Sequence, residues 1–161
     1  MATSLSRGTS ARLAHQLREL MLEGTWIAGT NFRDQVSCIP WEKAACQAGS
    51  AHSVADLMRH IHYYLGGVLR VLQGGPLDIR DIYAFDFLPI QSSEEWEEAC
   101  NRCWKDAQDL VALIEGLPDK NLDGDFSDGR YGSIQHNVDA LIAHGYYHLG
   151  QIVLLNKHLL S

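Results

Sequence analysis

A chain of 161 residues, 46% hydrophobic and 20% charged, carries enough apolar material for one domain with its own core, so neither a metal nor disulfides are needed merely to fold it. Its net charge of -7 excludes the basic surface that nonspecific nucleic-acid binding and attachment to anionic membranes both require. No run of about 18 apolar residues occurs, so no segment is expected to span a bilayer. The opening MATSLSRGTSARLAHQLREL lacks the apolar core of a signal peptide, which predicts a soluble, cytoplasmic protein. In that setting Cys38, Cys46, Cys100 and Cys103 are expected as free thiols.

The first helix is expected over residues 9–22. Leu13, Leu17, Leu20 and Met21 form its apolar stripe, and Gly24 is its stop. Residues 25–52 are mixed, with Trp26, Phe32, Pro40, Trp41 and Gly49. A loop with one short helix at Phe32–Ser37 is expected there. Ser53, with Asp56 three residues on, resembles a capping box for the second helix, although Asp is a weaker partner than Glu. Its apolar set is Val54, Leu57, Met58, Ile61, Leu65, Val68, Leu69 and Leu72, and Gly74-Gly75-Pro76 ends it.

Residues 77–91 read as extended or looped, with Tyr83, Phe85 and Phe87 as aromatic surface. Ser92 and Glu95 predict a full capping box for the third helix. Glu94, Glu95, Glu97 and Glu98 suit the positive end of its dipole. Leu117-Pro118 stops that helix after Gly116. The polar turn DKNLDGDFSDGRYG leaves room for a short hairpin within 121–131. The fourth helix is expected over 133–160, with Ile134, Val138, Leu141, Ile142, Ile152, Val153 and Leu155 inward. Four long amphipathic helices without a sheet imply an all-α four-helix bundle, a single domain over 1–161, with long connections after helices one and two.

The fourth helix contains AHGYYHLGQI, which places His144 and His148 four apart. Residues at that spacing have Cβ atoms about 5–6 Å apart, so two imidazoles can converge on one point. A catalytic metal site usually takes three protein ligands and leaves a position open. His60 is the expected third, because it lies next to Ile61 and about one turn after Leu57, so it can face inward. His62 is about 200° further round the same helix and should point elsewhere. His52, just before the helix, is the reserve candidate. His15, His136 and His158 have no spacing argument. An ordinary structural pair of histidines remains the competing reading of the motif. Gln151 is expected to orient an imidazole or to brace a neighbouring helix. Tyr63, Tyr64, Tyr146 and Tyr147 are expected mainly in the core, with a pocket wall as the alternative.

HSVADLMRHIHYYLGG in the second helix and LIAHGYYHLGQIVLLNK in the fourth together resemble the DinB superfamily of four-helix-bundle proteins. That family has one His early in helix two and an H-x3-H-x-G-Q-I pattern in the last helix. The matching positions are His60, His144 and His148, followed by Gly150, Gln151 and Ile152. Helix count, order and the long N-terminal connection agree, so the resemblance covers nearly the whole chain. It departs at Leu149, where the family commonly carries a basic residue. The resemblance implies a mononuclear three-His divalent metal site. It also implies either metal-dependent hydrolysis or transfer chemistry using bacillithiol, mycothiol or glutathione, and a possible homodimer.

Three neutral imidazoles leave a cation its full charge of about +2, which acidifies a water or a thiol placed beside it. Imidazole ligands suit zinc, nickel, copper and iron alike, so zinc, nickel or iron is expected without a choice among them. The H-E-x-x-H element of zinc proteases carries its general base between the two His residues. Here that position is Gly145. Asp56 and Asp139 are the candidates for a base from elsewhere. A thiol needs no such base once acidified. A low-molecular-weight thiol as cosubstrate of a small-molecule transferase is therefore expected slightly ahead of hydrolysis. A non-catalytic metal- or ligand-binding bundle is the alternative from another class.

Two further motifs are set aside. Cys100-x2-Cys103 lies inside a helix rather than at its start, where the dipole would activate a thiol. Counting from Asp123 as the first position of a calcium loop, Asp128 and Ile134 stand where Gly and Glu are required.

Overall fold

The computed structural model describes residues 8–49 and 51–159. Among them are six α-helices: α1 (Thr9–Met21), α2 (Phe32–Ser37), α3 (Trp41–Ala44), α4 (Val54–Leu72), α5 (Ser93–Gly116) and α6 (Ile134–Leu159). Two 3-10 turns, Asp81–Tyr83 and Asp119–Asn121, sit in the connections. No strand occurs among the described residues. The fold is therefore all-α.

Each of the four long helices packs on two others: α1 on α5 and α6, and α4 on α5 and α6. The apolar stripes meet between them. Leu13 and Leu17 of α1, Leu65 of α4, Leu110 and Ile114 of α5 and Ile152 of α6 are all fully buried.

The long helices α1, α4 and α5 start on three different caps. At α4, Ser53 and Asp56 form the complete reciprocal box, each side chain accepting the other's backbone N–H at 3.1 Å. At α5, Ser92 Oγ accepts the Glu95 N–H at 3.2 Å, but the Glu95 carboxylate accepts from Gln91 N–H at 2.8 Å. The longer glutamate reaches past the cap residue to the one before it. The start of α1 is capped from a distance, by the Asp119 carboxylate accepting from Thr9 and Ser10 N–H at 2.8 and 2.9 Å.

Two connections depart from expectation. The segment after α1 contains not one short helix but two, since Pro40 starts a further single turn at Trp41–Ala44. In place of a hairpin within 121–131 there is a 3-10 turn followed by an isolated bridge between Asp125 and Ser133. Leu122 N–H donates to the Asp119 carbonyl at 3.0 Å and Gly124 N–H to the Asn121 carbonyl at 3.1 Å, so these backbone groups close local turns and are not free to pair as a strand.

The close packing of α1 on α6 explains why the residue after His144 is glycine. A Cβ there would lie 2.4 Å from Leu20 Cδ2, and Leu20 is itself fully buried in α1. Alanine gains about 1 kcal/mol of helix propensity, but overpacking a tight core costs about 1–3 kcal/mol. Gly145→Ala is expected to destabilise the protein by about 1 kcal/mol, read as a lower urea midpoint with an unchanged slope. A raised midpoint would contradict the close packing of α1 on α6.

Candidate metal centre

His60 lies in the second turn of α4, and His144 and His148 lie on successive turns of α6. Because α4 and α6 pack together, the three rings meet. His60 Nε2 is 3.2 Å from His144 Nε2, and His148 Nε2 is 2.8 Å from the same atom. One ligating nitrogen from each residue lies within 4.8 Å of the other two, and among the described residues no fourth His, Cys, Asp or Glu joins the group. Nitrogens about 2.0–2.1 Å from a tetrahedral cation stand about 3.3 Å apart, so two of the three spacings are already close to what one ion needs.

The far sides of two rings fix their tautomers. His60 Nδ1 is 2.9 Å from the Ala84 carbonyl, and His148 Nδ1 is 2.6 Å from Gln151 Oε1. A carbonyl oxygen only accepts, so each Nδ1 carries the proton. Each Nε2 is then a bare lone pair turned towards His144. One N–H on His144 can answer one of those lone pairs and not both. Facing lone pairs on neutral imidazoles repel, and a cation between them resolves the conflict. This is the hydrogen-bonded outer arrangement that metal-ligating histidines ordinarily show. The residues therefore fit a divalent ion.

Burial reinforces the neutral forms. It is the largest influence on His144, followed by the neighbouring His148 and His60, and together they pull its pKa from 6.5 down to about 4. Burial also lowers His60 and His148, outweighing the raising effects of Ala84 and Gln151 respectively. In the unfolded chain these imidazoles titrate near 6.5. Below that pH the unfolded state binds more protons than the folded one, so protonation favours unfolding. Metal-free protein should thus hold its full stability above about pH 6.5 and lose it as pH falls towards 4. The check is the urea midpoint at pH 7.5 and 5.0 against His144→Gln, which should lose less than the parent; equal losses would contradict the lowered pKa.

The surroundings come mostly from the connection between α4 and α5. Phe85 is sandwiched, its ring stacked 4.1 Å from His60 on one side and 3.8 Å from His52 on the other. His52 thus braces the site through Phe85 and is not one of the three converging rings. Tyr64 meets His60 and His144 edge-on, both at 5.1 Å, and its hydroxyl donates to Asp81 Oδ1 at 2.7 Å. Burial and Asp81 push the Tyr64 phenol well above its ordinary range. A cavity of about 330 Å³ opens beside His144, walled by Val68, Leu77, Ile79, Phe126 and Leu141, with Tyr64 and Asp81 also on its lining.

No family model matches this chain, and no curated protein or solved structure matches it either.

The remaining candidates fall in distinct places. His62 points away from the cluster and pairs with Asp106 of α5 at 2.8 Å. Gln151 accepts from His148, and its amide lies 3.5 Å from the Tyr147 hydroxyl. Tyr147 is exposed on the other side of His148, Tyr146 packs against the core, and Tyr63 exchanges hydrogen bonds with the Arg80 backbone. Asp56 is committed to the α4 cap, and Asp139 lies 3.5 Å from Gln135. The carboxylate on the cavity is Asp81, which the sequence reading did not single out. Leu149 is buried at 1% exposure, so the position at which the resemblance departs faces the core. Cys100 and Cys103 are buried, and burial drives both thiols upward, Cys100 to about 12. That is the opposite of an activated pair.

Proposed function

We propose that this chain is a DinB-like four-helix bundle whose His60, His144 and His148 hold one divalent cation, zinc, nickel or iron, and that it joins a small thiol to a small-molecule electrophile. The observation that carries the reading is the pair of bare Nε2 lone pairs, fixed by Ala84 and Gln151 and aimed at a third imidazole. Three protein ligands with no fourth is the pattern of a site that admits a visitor. A divalent cation there supplies the Lewis acidity that keeps a thiol deprotonated near neutral pH.

The chain's own residues would do the rest. Gln151 and the Ala84 carbonyl keep the imidazoles in the ligating tautomer. The apolar cavity beside His144 accommodates the electrophile's body and excludes water from it. The Tyr64 hydroxyl, held by Asp81, faces the same cavity and limits how the electrophile can lie. In the reaction the thiol gives up its proton to solvent. Its sulfur forms the new bond to the electrophilic carbon, and the leaving group departs with the electron pair.

Hydrolysis is the second reading, and one observation favours it. Asp81 is a carboxylate on the cavity that His144 lines, placed to take a proton from an attacking water. Protein purified without an affinity tag and loaded with zinc, nickel or iron separates the readings. Conjugation of glutathione, bacillithiol or mycothiol to a chlorinated aromatic electrophile should be abolished by chelator and by His148→Ala. Chelator-sensitive ester hydrolysis without conjugation would move the assignment to hydrolase. Tight metal binding with neither reaction would make the protein a non-catalytic metal binder.

A further inference from the structure

A second cavity lies on the other side of α4 from His60, between α4 and α5, and the metal chemistry makes no use of it. It measures about 330 Å³, and its lining includes Arg59, Arg70 and Arg102 together with His62, Asp106 and Phe87. Three of the chain's 13 basic residues therefore border one hollow in a protein whose net charge is -7. The single acid on the lining, Asp106, already receives His62 at 2.8 Å. On the lining itself three guanidinium groups meet one carboxylate, while Asp78 and Glu98, the partners of Arg70 and Arg102, stand outside it.

Each arginine has a partner, yet none of them is used up. Arg59 donates one N–H to the Leu88 carbonyl at 2.7 Å and lies 4.5 Å above the Phe87 ring. That anchors its planar group at the cavity wall with other N–H groups to offer, since a guanidinium has five. Arg70 reaches Asp78 at 3.2 Å, and Arg102 reaches Glu98 at 3.5 Å. Both of these pairs are exposed, and exposed pairs are worth little, so either arginine can turn to a better acceptor at small cost. Asp78 and Glu98 are not on the lining of this cavity. Glu95 and Glu98 line an adjoining one, which Arg59 and Arg102 also border. The two arginines thus stand between Glu95 and Glu98 on one side and, on the other, a cavity on whose lining Asp106 is the one acid.

We propose that the cavity between α4 and α5 is a binding site for the phosphoryl group of a small molecule, held by Arg59, Arg70 and Arg102. A phosphate monoester carries about -1.5 to -2 at neutral pH, enough to draw Arg70 and Arg102 from their exposed single-carboxylate partners. Planar forked donors suit its oxygens better than ammonium groups do. A monocarboxylate brings about half that charge and two acceptor oxygens in place of three.

The test uses the full chain stripped of metal with chelator, so that an anion cannot bind at the histidines. Binding of inorganic phosphate and of glycerol 3-phosphate is measured by calorimetry, with acetate as the monocarboxylate arm. The expected result is saturable binding of both phosphates, weakened about tenfold by Arg102→Gln and by Arg70→Gln, since each removes a charge-assisted contact. Both side chains lie on the surface, at 65% and 49% exposure, so these variants should keep the parent's urea midpoint. Phosphate binding to the metal-free protein should be the same in the parent and in His148→Ala, whose ring lies among the three histidines and not on this cavity. Glycerol 3-phosphate binding tighter than phosphate would identify the ligand as an organic monoester, and the reverse order would identify free phosphate. No saturable binding, binding untouched by both arginine variants, or equal binding of acetate would overturn the proposal. None of these outcomes depends on what the metal centre does.

Discussion

Replacing His148 with alanine should abolish stoichiometric metal binding while leaving the helices intact. Loss of a hydrogen-bonding partner outside the ligand set typically costs about 10–100-fold in metal affinity, and loss of a ligand costs more. His148 also supports the centre in two ways: its Nε2 faces His144 at 2.8 Å, and its Nδ1 is the group that Gln151 fixes at 2.6 Å. Gln151→Ala is the graded control, expected within that 10–100-fold range because it frees the tautomer and keeps the ligand. Metal per chain, measured on untagged protein after dialysis, should fall in the order parent, Gln151→Ala, His148→Ala. Full occupancy in His148→Ala would remove the basis of the three-histidine assignment.

Loading with metal should raise the melting temperature by about 8–16 °C when free metal is about a thousand times Kd. Linkage gives about 4 kcal/mol at that ratio, and a domain of this size shifts about 2–4 °C per kcal/mol. The physical source is the repulsion among the three imidazoles in the metal-free protein, which a cation turns into attraction. The ligands come from α4 and α6, 84 residues apart in sequence, so the ion ties together helices that otherwise depend on apolar packing. Chelator should return the melting temperature to its starting value, and His148→Ala should show no shift. A shift of equal size in that variant would place the stabilising metal elsewhere.

The long helices were legible because each buries a continuous stripe. Leu13, Leu17 and Leu20 announce α1 at helical spacing, and all are buried. The single turn Trp41–Ala44 was not legible, since four residues cannot display a period. Spacing alone brings the His144 and His148 rings to 4.5 Å, because residues four apart share a helix face. His60 joins them only through the packing of α4 on α6, which no local pattern encodes. What fixes its tautomer was invisible for another reason. The acceptor is the main-chain carbonyl of Ala84, and a backbone oxygen has no signature in the residue type. Asp81 was missed similarly: its role depends on Tyr64, 17 residues earlier, across a connection with no periodicity to relate them.

That connection has a consequence for how the protein tolerates change. Between residues 80 and 88 it is tied to α4 four times, at Tyr63 to Arg80, Tyr64 to Asp81, His60 to Ala84 and Arg59 to Leu88. Three of the four ties use main-chain atoms of the connection. Residue identity there is consequently freer to drift than its length is. Deleting one residue between 81 and 84 would slide the Ala84 oxygen out of reach of His60 and let that imidazole turn over, disarming the centre without touching a single ligand.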